Sequence, residues 1–211
     1  MIEKRHLFFM LRQFIYLVGC VATVFFQHFL ASKYLDATFH EHGIVENMQL
    51  CELILATVLF SCVRIKRADY KKLAPFFAAL CAMACCRELD NFLGSTLPII
   101  GWKIGFIFII IAGWYALKDW KQTCQEVLKF IRHPSLGIML CAIVLIIPVG
   151  QCIGHKSFLI NVLQMEHVGR IKELIEESVE TVGYFVLLCS AVELLCKDVK
   201  AAHTLPKEEK A

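Results

Sequence analysis

Long apolar stretches recur along this chain, and they constrain its fold more than any other feature. Roughly six of them are long enough to cross the ~30 Å hydrocarbon core of a bilayer as an α-helix. They span residues 8–31, 44–65, 73–93, 98–117, 135–153 and 170–196. Hydrophobic residues make up 58% of the sequence, whereas soluble domains contain about 45–50%. The pattern predicts an all-α fold, a multi-pass transmembrane helical bundle.

The loops between these stretches differ in charge, and the difference predicts the topology. Lysine and arginine are concentrated before the first stretch, after the second, after the fourth and after the sixth. They are Lys4, Arg5, Arg64, Lys66, Arg67, Lys71, Lys72, Lys118, Lys121, Lys129, Arg132, Lys197, Lys200, Lys207 and Lys210. Loops rich in these residues stay in the cytoplasm, so both termini are predicted to be cytoplasmic. The small size and this bias favour a bacterial inner (plasma) membrane.

The chain is predicted to form a single bundle over residues 1–196, followed by a short charged cytoplasmic tail, 197–211. Within the bundle, residues 118–133 repeat apolar side chains at helical steps, with basic residues between them. The apolar positions are Trp120, Cys124, Val127, Leu128 and Ile131. A basic amphipathic helix of this kind suits the anionic cytoplasmic leaflet. We therefore expect an interfacial helix that connects two spans.

The sixth stretch carries a stripe of polar side chains. Arg170, Glu173, Glu177, Glu180 and Tyr184 follow one another at steps of +3, +4, +3 and +4, which places them on one helical face. An ionised carboxylate in hydrocarbon costs several kcal/mol unless it is paired, neutralised or hydrated. Intramembrane ionisable groups that face a bundle interior are functional candidates for this reason.

Other helices direct polar side chains to the same outer half of the predicted bundle, whereas the inner halves of the spans carry almost none. Besides the stripe, the outer group includes His42, Glu46, Gln49, Glu52, Arg87, Glu88, Asp90, Lys103, His155 and His167. The convergence of several helices predicts one shared site. Acidic residues outnumber basic ones there, so a positive species, such as protons, a metal ion or a cationic substrate, is expected to complete it.

The chemistry of these side chains suggests their roles. Glu88, Glu177, Glu180 and His167 are the predicted catalytic acid–base groups. A second set is expected to bind the substrate, namely Arg87, Asp90, Lys103, Arg170 and Tyr184. Imidazole and carboxylate together suit a divalent metal ion, so the predicted metal ligands are His42, Glu46, His155 and Glu173, with His167 and Glu177 as additional candidates.

Three functions remain open at this level. The first is an enzyme that acts on a lipid or lipid-linked substrate, assisted by a divalent metal ion. The second is a small transporter or an ion- or proton-coupled binding protein, which the nearly apolar inner half and the absence of an inverted repeat disfavour. The third is a structural or partner-binding membrane subunit whose buried ion pairs fix helix register. Membrane lipids are the expected partners, and no nucleic acid is expected.

Overall fold

The computed structural model describes residues 2–38, 43–97, 99–153, 155, 160 and 168–196, and every regular element among them is helical. The helices are α1 (Ile2–Thr38), α2 (Ile44–Lys66), α3 (Leu73–Glu88), α4 (Asp90–Thr96), α5 (Gly105–Leu117), α6 (Trp120–Ile131), α7 (Pro134–Val144), α8 (Gly150–Ile153) and α9 (Val168–Leu195). Single turns join some of them: Ala68–Tyr70 and Gly101–Ile104 are 3₁₀ turns, and Leu145–Val149 is a π turn. The predicted helical class is confirmed.

Among the described residues, three helices are long and apolar enough to cross a membrane. These segments are His6–Tyr34, Ile44–Lys66 and Leu174–Leu195. A fourth span results if Gly101–Leu117 and Trp120–Ile131, which are bent by 103°, count as one. The protein is therefore an integral membrane protein with three to four apolar helices of spanning length. Six spans and the cytoplasmic placement of both termini stay predictions.

Helix α9 lies at the centre of the bundle, where it packs against α1, α2 and α7, while α3 packs against both α2 and α5. An apolar core forms where α2, α3, α6, α7 and α9 meet. The ring centroids of Phe60 and Phe77 are 5.4 Å apart, and those of Phe77 and Phe130 are 5.0 Å apart. These aromatic contacts bring three helices together at the bundle end that carries the 67–72 turn.

Small residues allow α9 and α7 to approach closely. Ser135 and Ser190 are fully buried, and their Oγ atoms are 2.8 Å apart. Each hydroxyl also donates to the backbone carbonyl of the other residue, at 2.8 and 3.1 Å. Farther along, a Cβ placed on Gly183 would lie 2.5 Å from Cγ1 of Ile146. Contacts of this kind hold membrane helices together. Lipid is as apolar as the helix surfaces, so association depends on van der Waals packing and hydrogen bonds rather than on the hydrophobic effect.

Helix α6 is fastened to the end of the bundle by its polar face. Glu126 is buried, and its Oε2 accepts hydrogen bonds from the backbone amides of Lys72 at 2.8 Å and Leu73 at 2.9 Å. Nearby, Lys129 Nζ donates to Asp69 Oδ1 at 2.5 Å, and this hydrogen bond lowers the pKa of the Asp69 carboxyl. The predicted helix therefore exists in the described chain, and its location at a membrane surface stays a prediction.

Replacing Glu126 by alanine should destabilise the protein by about 1–2 kcal/mol, because the first amides of α3 have no partner within their own helix. The measurement is the free energy of unfolding in mixed micelles titrated with SDS. Gln125→Ala is the matched control, since Gln125 lies on the exposed face of the same helix. Equal stability of the two variants would contradict the capping role.

Candidate functional site

Four polar side chains from α3 and α9 form one hydrogen-bonded network, here called the Arg87 cluster (Arg87, Glu88, Glu180 and Tyr184). Arg87 Nη2 lies 2.9 Å from Glu88 Oε1 and 3.0 Å from Glu180 Oε2. It also donates to the Tyr184 hydroxyl at 3.0 Å. The Tyr184 hydroxyl in turn donates to Glu88 Oε1 at 2.8 Å. All four residues were predicted site residues, and the structure brings them together.

Local helix geometry explains the convergence. Glu180 and Tyr184 are four residues apart on α9, so they stack on one face, and Arg87 and Glu88 occupy the last turn of α3. Glu180 is 8% exposed and Tyr184 is 2% exposed, whereas the Arg87 side chain is 40% exposed. The carboxylates and the phenol are therefore held inside, and the guanidinium reaches the surface of the protein.

A second polar contact joins α2 to the same stretch of α9. The Gln49 side chain is buried, and its Nε2 donates to the backbone carbonyl of Glu177 at 3.0 Å and to Thr181 Oγ1 at 3.1 Å. Neither Gln49 nor Thr181 was predicted as a site residue. The sequence did group Gln49 with Glu46 on one face of α2, because the two residues are three positions apart.

Glu52 lies one turn farther along α2 and is half-buried. In the described part of the chain, no hydrogen bond reaches its buried Oε2 atom. A buried carboxylate oxygen is costly without a donor, and protonation or a donor group of a ligand would lower that cost. Glu52 therefore adds a further buried carboxylate to the acidic residues of this part of the bundle.

No family model, curated protein or solved structure matches this chain. The chemistry of the site therefore follows from its own side chains. A guanidinium held by two carboxylates can bind a phosphate or carboxylate through its exposed edge. A phenol that donates to a carboxylate, as Tyr184 does to Glu88, can pass a proton between a bound group and that carboxylate.

The break between α7 and α8 packs against the same face of α9. Pro148 has no backbone N–H, so the regular pattern of helical backbone hydrogen bonds is interrupted within the Leu145–Val149 π turn. Gly150 follows, and a Cβ placed on it would lie 3.7 Å from Cγ of Glu180. Single π turns within helices are frequent at functional sites. This one covers the Glu180 side of the cluster.

Two predicted substrate-binding residues lie apart from the cluster. Asp90 is exposed, and its Oδ1 accepts a hydrogen bond from the Trp102 backbone amide at 3.4 Å. This contact supports the turn at Gly101, whose φ of +49° is left-handed. Lys103 is exposed in the same turn. Among the described residues, no hydrogen bond or ion pair connects either side chain to Arg87, and their role in binding stays a prediction.

The predicted metal ligands are only partly covered by the structure. Glu46 is half-buried in the first turn of α2, and His155 is exposed after α8. His42 and His167 lie outside the described residues, as do the side chains of Arg170 and Glu173, whose backbones belong to α9. Within the described chain, no group of three or more His, Cys, Asp or Glu side chains could hold a metal ion. The metal centre stays a prediction.

The expectation that the inner halves of the spans carry almost no polar groups was wrong. Arg12 makes two contacts of 2.6 Å with the Glu193 carboxylate, through Nε and Nη2. Gln13 Nε2 and the Tyr16 hydroxyl each donate to Glu193 Oε2 at 3.2 Å. Glu193 is 3% exposed and lies 13 residues after Glu180, about 20 Å along α9. Sequence reasoning missed this network because Arg12, Gln13 and Tyr16 lie near the start of the first apolar stretch, whereas Glu193 stands alone near the end of the last.

Proposed function

We propose that this integral membrane protein is an enzyme that performs acid–base chemistry on a lipid or lipid-linked substrate. The observation that carries the proposal is the 2.8 Å hydrogen bond from the Tyr184 hydroxyl to Glu88, with Arg87 in contact with both groups. A linked proton donor and acceptor beside a cation is an arrangement suited to general acid–base catalysis. Its position on two apolar helices favours a substrate that reaches it through the membrane.

The proposed roles follow from the contacts. The exposed edge of Arg87 binds a phosphate or carboxylate of the substrate. A hydroxyl of the substrate, or a water molecule beside it, gives its proton to the Tyr184 oxygen. At the same time the Tyr184 proton moves to Glu88, which is the general base. Glu180 is a positioning residue, because it holds the guanidinium from the buried side at 3.0 Å.

The orientation and location of the site are part of the proposal. The positive-inside pattern supports six spans with both termini in the cytoplasm, which puts the Arg87 cluster in the outer half of a bacterial inner membrane. A divalent metal ion held by His42, Glu46, His155 and Glu173 would supply an activated water. That part of the proposal is supported by the sequence pattern alone.

Glu88→Gln and Tyr184→Phe should each lower turnover by about 100-fold, since each removes one partner of the proton transfer. The measurement is a comparison of lipid extracts from cells that produce the wild type, either variant, or no protein. Glu176→Gln is the control, because Glu176 lies on the same helix and pairs with Lys172 at 3.1 Å, outside the cluster. Identical lipids in producing and non-producing cells, or full turnover by both variants, would contradict the enzyme.

Proton-coupled transport is the second candidate, and the Arg12–Glu193 network favours it. Polar networks at two levels of α9, together with the buried Glu52 oxygen of α2, supply titratable groups at several depths of the bundle. Transport would be supported over catalysis by two results together. The wild type would take up protons into proteoliposomes and Glu52→Gln would not, and cellular lipids would be the same with and without the protein.

A further inference from the structure

A groove opens between α2, α3 and α5, at the opposite end of these helices from the Arg87 cluster. Its volume is about 570 Å³, which lies within the range of about 300–1,000 Å³ typical of small-molecule pockets. Most of its wall is hydrocarbon, contributed by Ile65, Ala78, Ala82, Phe108, Ile111 and Ala112. The groove faces the outside of the bundle, where lipid chains surround a membrane protein.

Packing explains why the groove exists. Helices α3 and α5 touch at Gly105, where an added Cβ would lie 2.9 Å from Cα of Met83. From there to the other end of α5, the α3 residues that line the groove are Pro75 and three alanines, whose small side chains leave the space unfilled. The hydroxyls of Thr57 and Ser61 line the groove but donate to backbone carbonyls of their own helix, at 2.8 Å each. The walls therefore suit a hydrocarbon chain.

Two cations stand at the mouth of this groove. Arg64 Cζ lies 5.2 Å from the ring centroid of Tyr115, and Lys72 Nζ lies 4.1 Å from the same centroid. No carboxylate of the described residues pairs with either side chain. Two like charges around one ring repel each other, so an anion between them would be stabilised by both. The mouth therefore selects a negatively charged head group.

We infer that this groove binds an anionic phospholipid. One acyl chain lies along the groove, which extends about 10 Å from Arg64 to Thr57 at 1.5 Å per residue. The phosphate sits between Arg64 and Lys72 beside the Tyr115 ring. Basic pockets between membrane helices bind anionic lipid head groups in this way. Lys72 and Arg87 are separated by 15 residues, nearly the full length of α3, so this lipid is distinct from the substrate of the Arg87 cluster.

Native mass spectrometry of the detergent-purified full chain with added phosphatidylglycerol or phosphatidylcholine tests the inference. We expect the wild type to prefer phosphatidylglycerol. The double variant Arg64→Ala/Lys72→Ala should bind it about 25-fold more weakly, at about fivefold for each cation. Lys121→Ala/Arg132→Ala removes one exposed cation of α6 and one that directly follows it. These cations can attract an anionic membrane surface but lie outside the groove, so their loss should weaken phosphatidylglycerol binding far less.

The apolar part of the groove has its own test. Ala82→Leu should fill the groove and weaken phosphatidylglycerol binding, whereas Gly113→Leu should not, because a Cβ at Gly113 meets nothing within 4 Å. Size-exclusion profiles establish that both variants fold, and Ala82→Val replaces Ala82→Leu if it aggregates. Equal binding of the two lipids, an equal loss in both double variants, or a second copy of the protein as the bound species would overturn the inference. Turnover by the Arg87 cluster is measured separately, so either proposal can fail alone.

Discussion

Arg87→Leu should destabilise the protein by about 3–5 kcal/mol, because removing one partner of a buried ion pair leaves uncompensated charge in a poorly solvated site. Two carboxylates, Glu88 and Glu180, would lose their cation, and Tyr184 would lose a donor at 3.0 Å. Both glutamates are largely buried, so water cannot readily replace the guanidinium. The measurement is the free energy of unfolding in mixed micelles at neutral pH.

Two further variants make the result interpretable. Arg132→Leu removes an exposed cation of the loop after α6 and should change stability by less than about 0.5 kcal/mol. Adding Glu88→Gln and Glu180→Gln to Arg87→Leu removes the stranded charges and should recover part of the loss. If this triple variant regains stability but not turnover, the result supports a catalytic role for these residues. If it regains both, their charges serve only to fix helix register. Equal stability of Arg87→Leu and Arg132→Leu would contradict the pairing.

Gly105→Val should destabilise the protein by about 2–3 kcal/mol, because a larger side chain in a tightly packed contact forces the surrounding structure to move. The Cβ alone would lie 2.9 Å from Cα of Met83 and 3.2 Å from Cβ of Cys86. A backbone atom cannot rotate away as a flexible side chain can. Helix α5 must therefore shift from α3, and the thermal unfolding midpoint in detergent should fall.

Gly113 provides the control for this substitution within the same helix. A Cβ there meets nothing within 4 Å, so Gly113→Val should be neutral or slightly stabilising, because glycine is a poor helix former. Equal losses in the two variants would show that the effect does not come from the contact with α3.

Much of the fold could be predicted from the sequence, because apolar length and helical period are local properties. The same period placed Glu180 and Tyr184 on one face, and the depth of Arg87 within the third stretch marked it as a member of the same polar group. The number of spans could not be settled in this way. Helix α3 has 16 residues and rises about 24 Å. It ends at Glu88, because the φ and ψ of the next residue, Leu89, are −92° and 17° and are not helical. Apolar composition alone does not reveal such a break.

The contacts that sequence reasoning missed all join distant parts of the chain. Arg12 and Glu193 are 181 residues apart, and neither belongs to a periodic stripe that would mark it as part of a site. Glu126 was not singled out from the sequence, yet it caps α3 from 53 and 54 residues away. Such pairings depend on which helices become neighbours. Tertiary packing decides this, and the sequence does not reveal it because the helix surfaces that pack are all similarly apolar.

The position of α9 in the chain has a consequence for biogenesis. Its carboxylates Glu180 and Glu193 meet Arg87 and Arg12, which leave the ribosome earlier on α3 and α1. Until α9 emerges, Arg12 lacks its carboxylate within the membrane, where an uncompensated charge is costly, and Arg87 has only the neighbouring Glu88. Insertion of α9 supplies the partner of Arg12 and the second carboxylate of Arg87, so we expect it to be the step that commits the nascent chain to its final assembly. Chains arrested before residue 180 should remain accessible to membrane quality-control proteases.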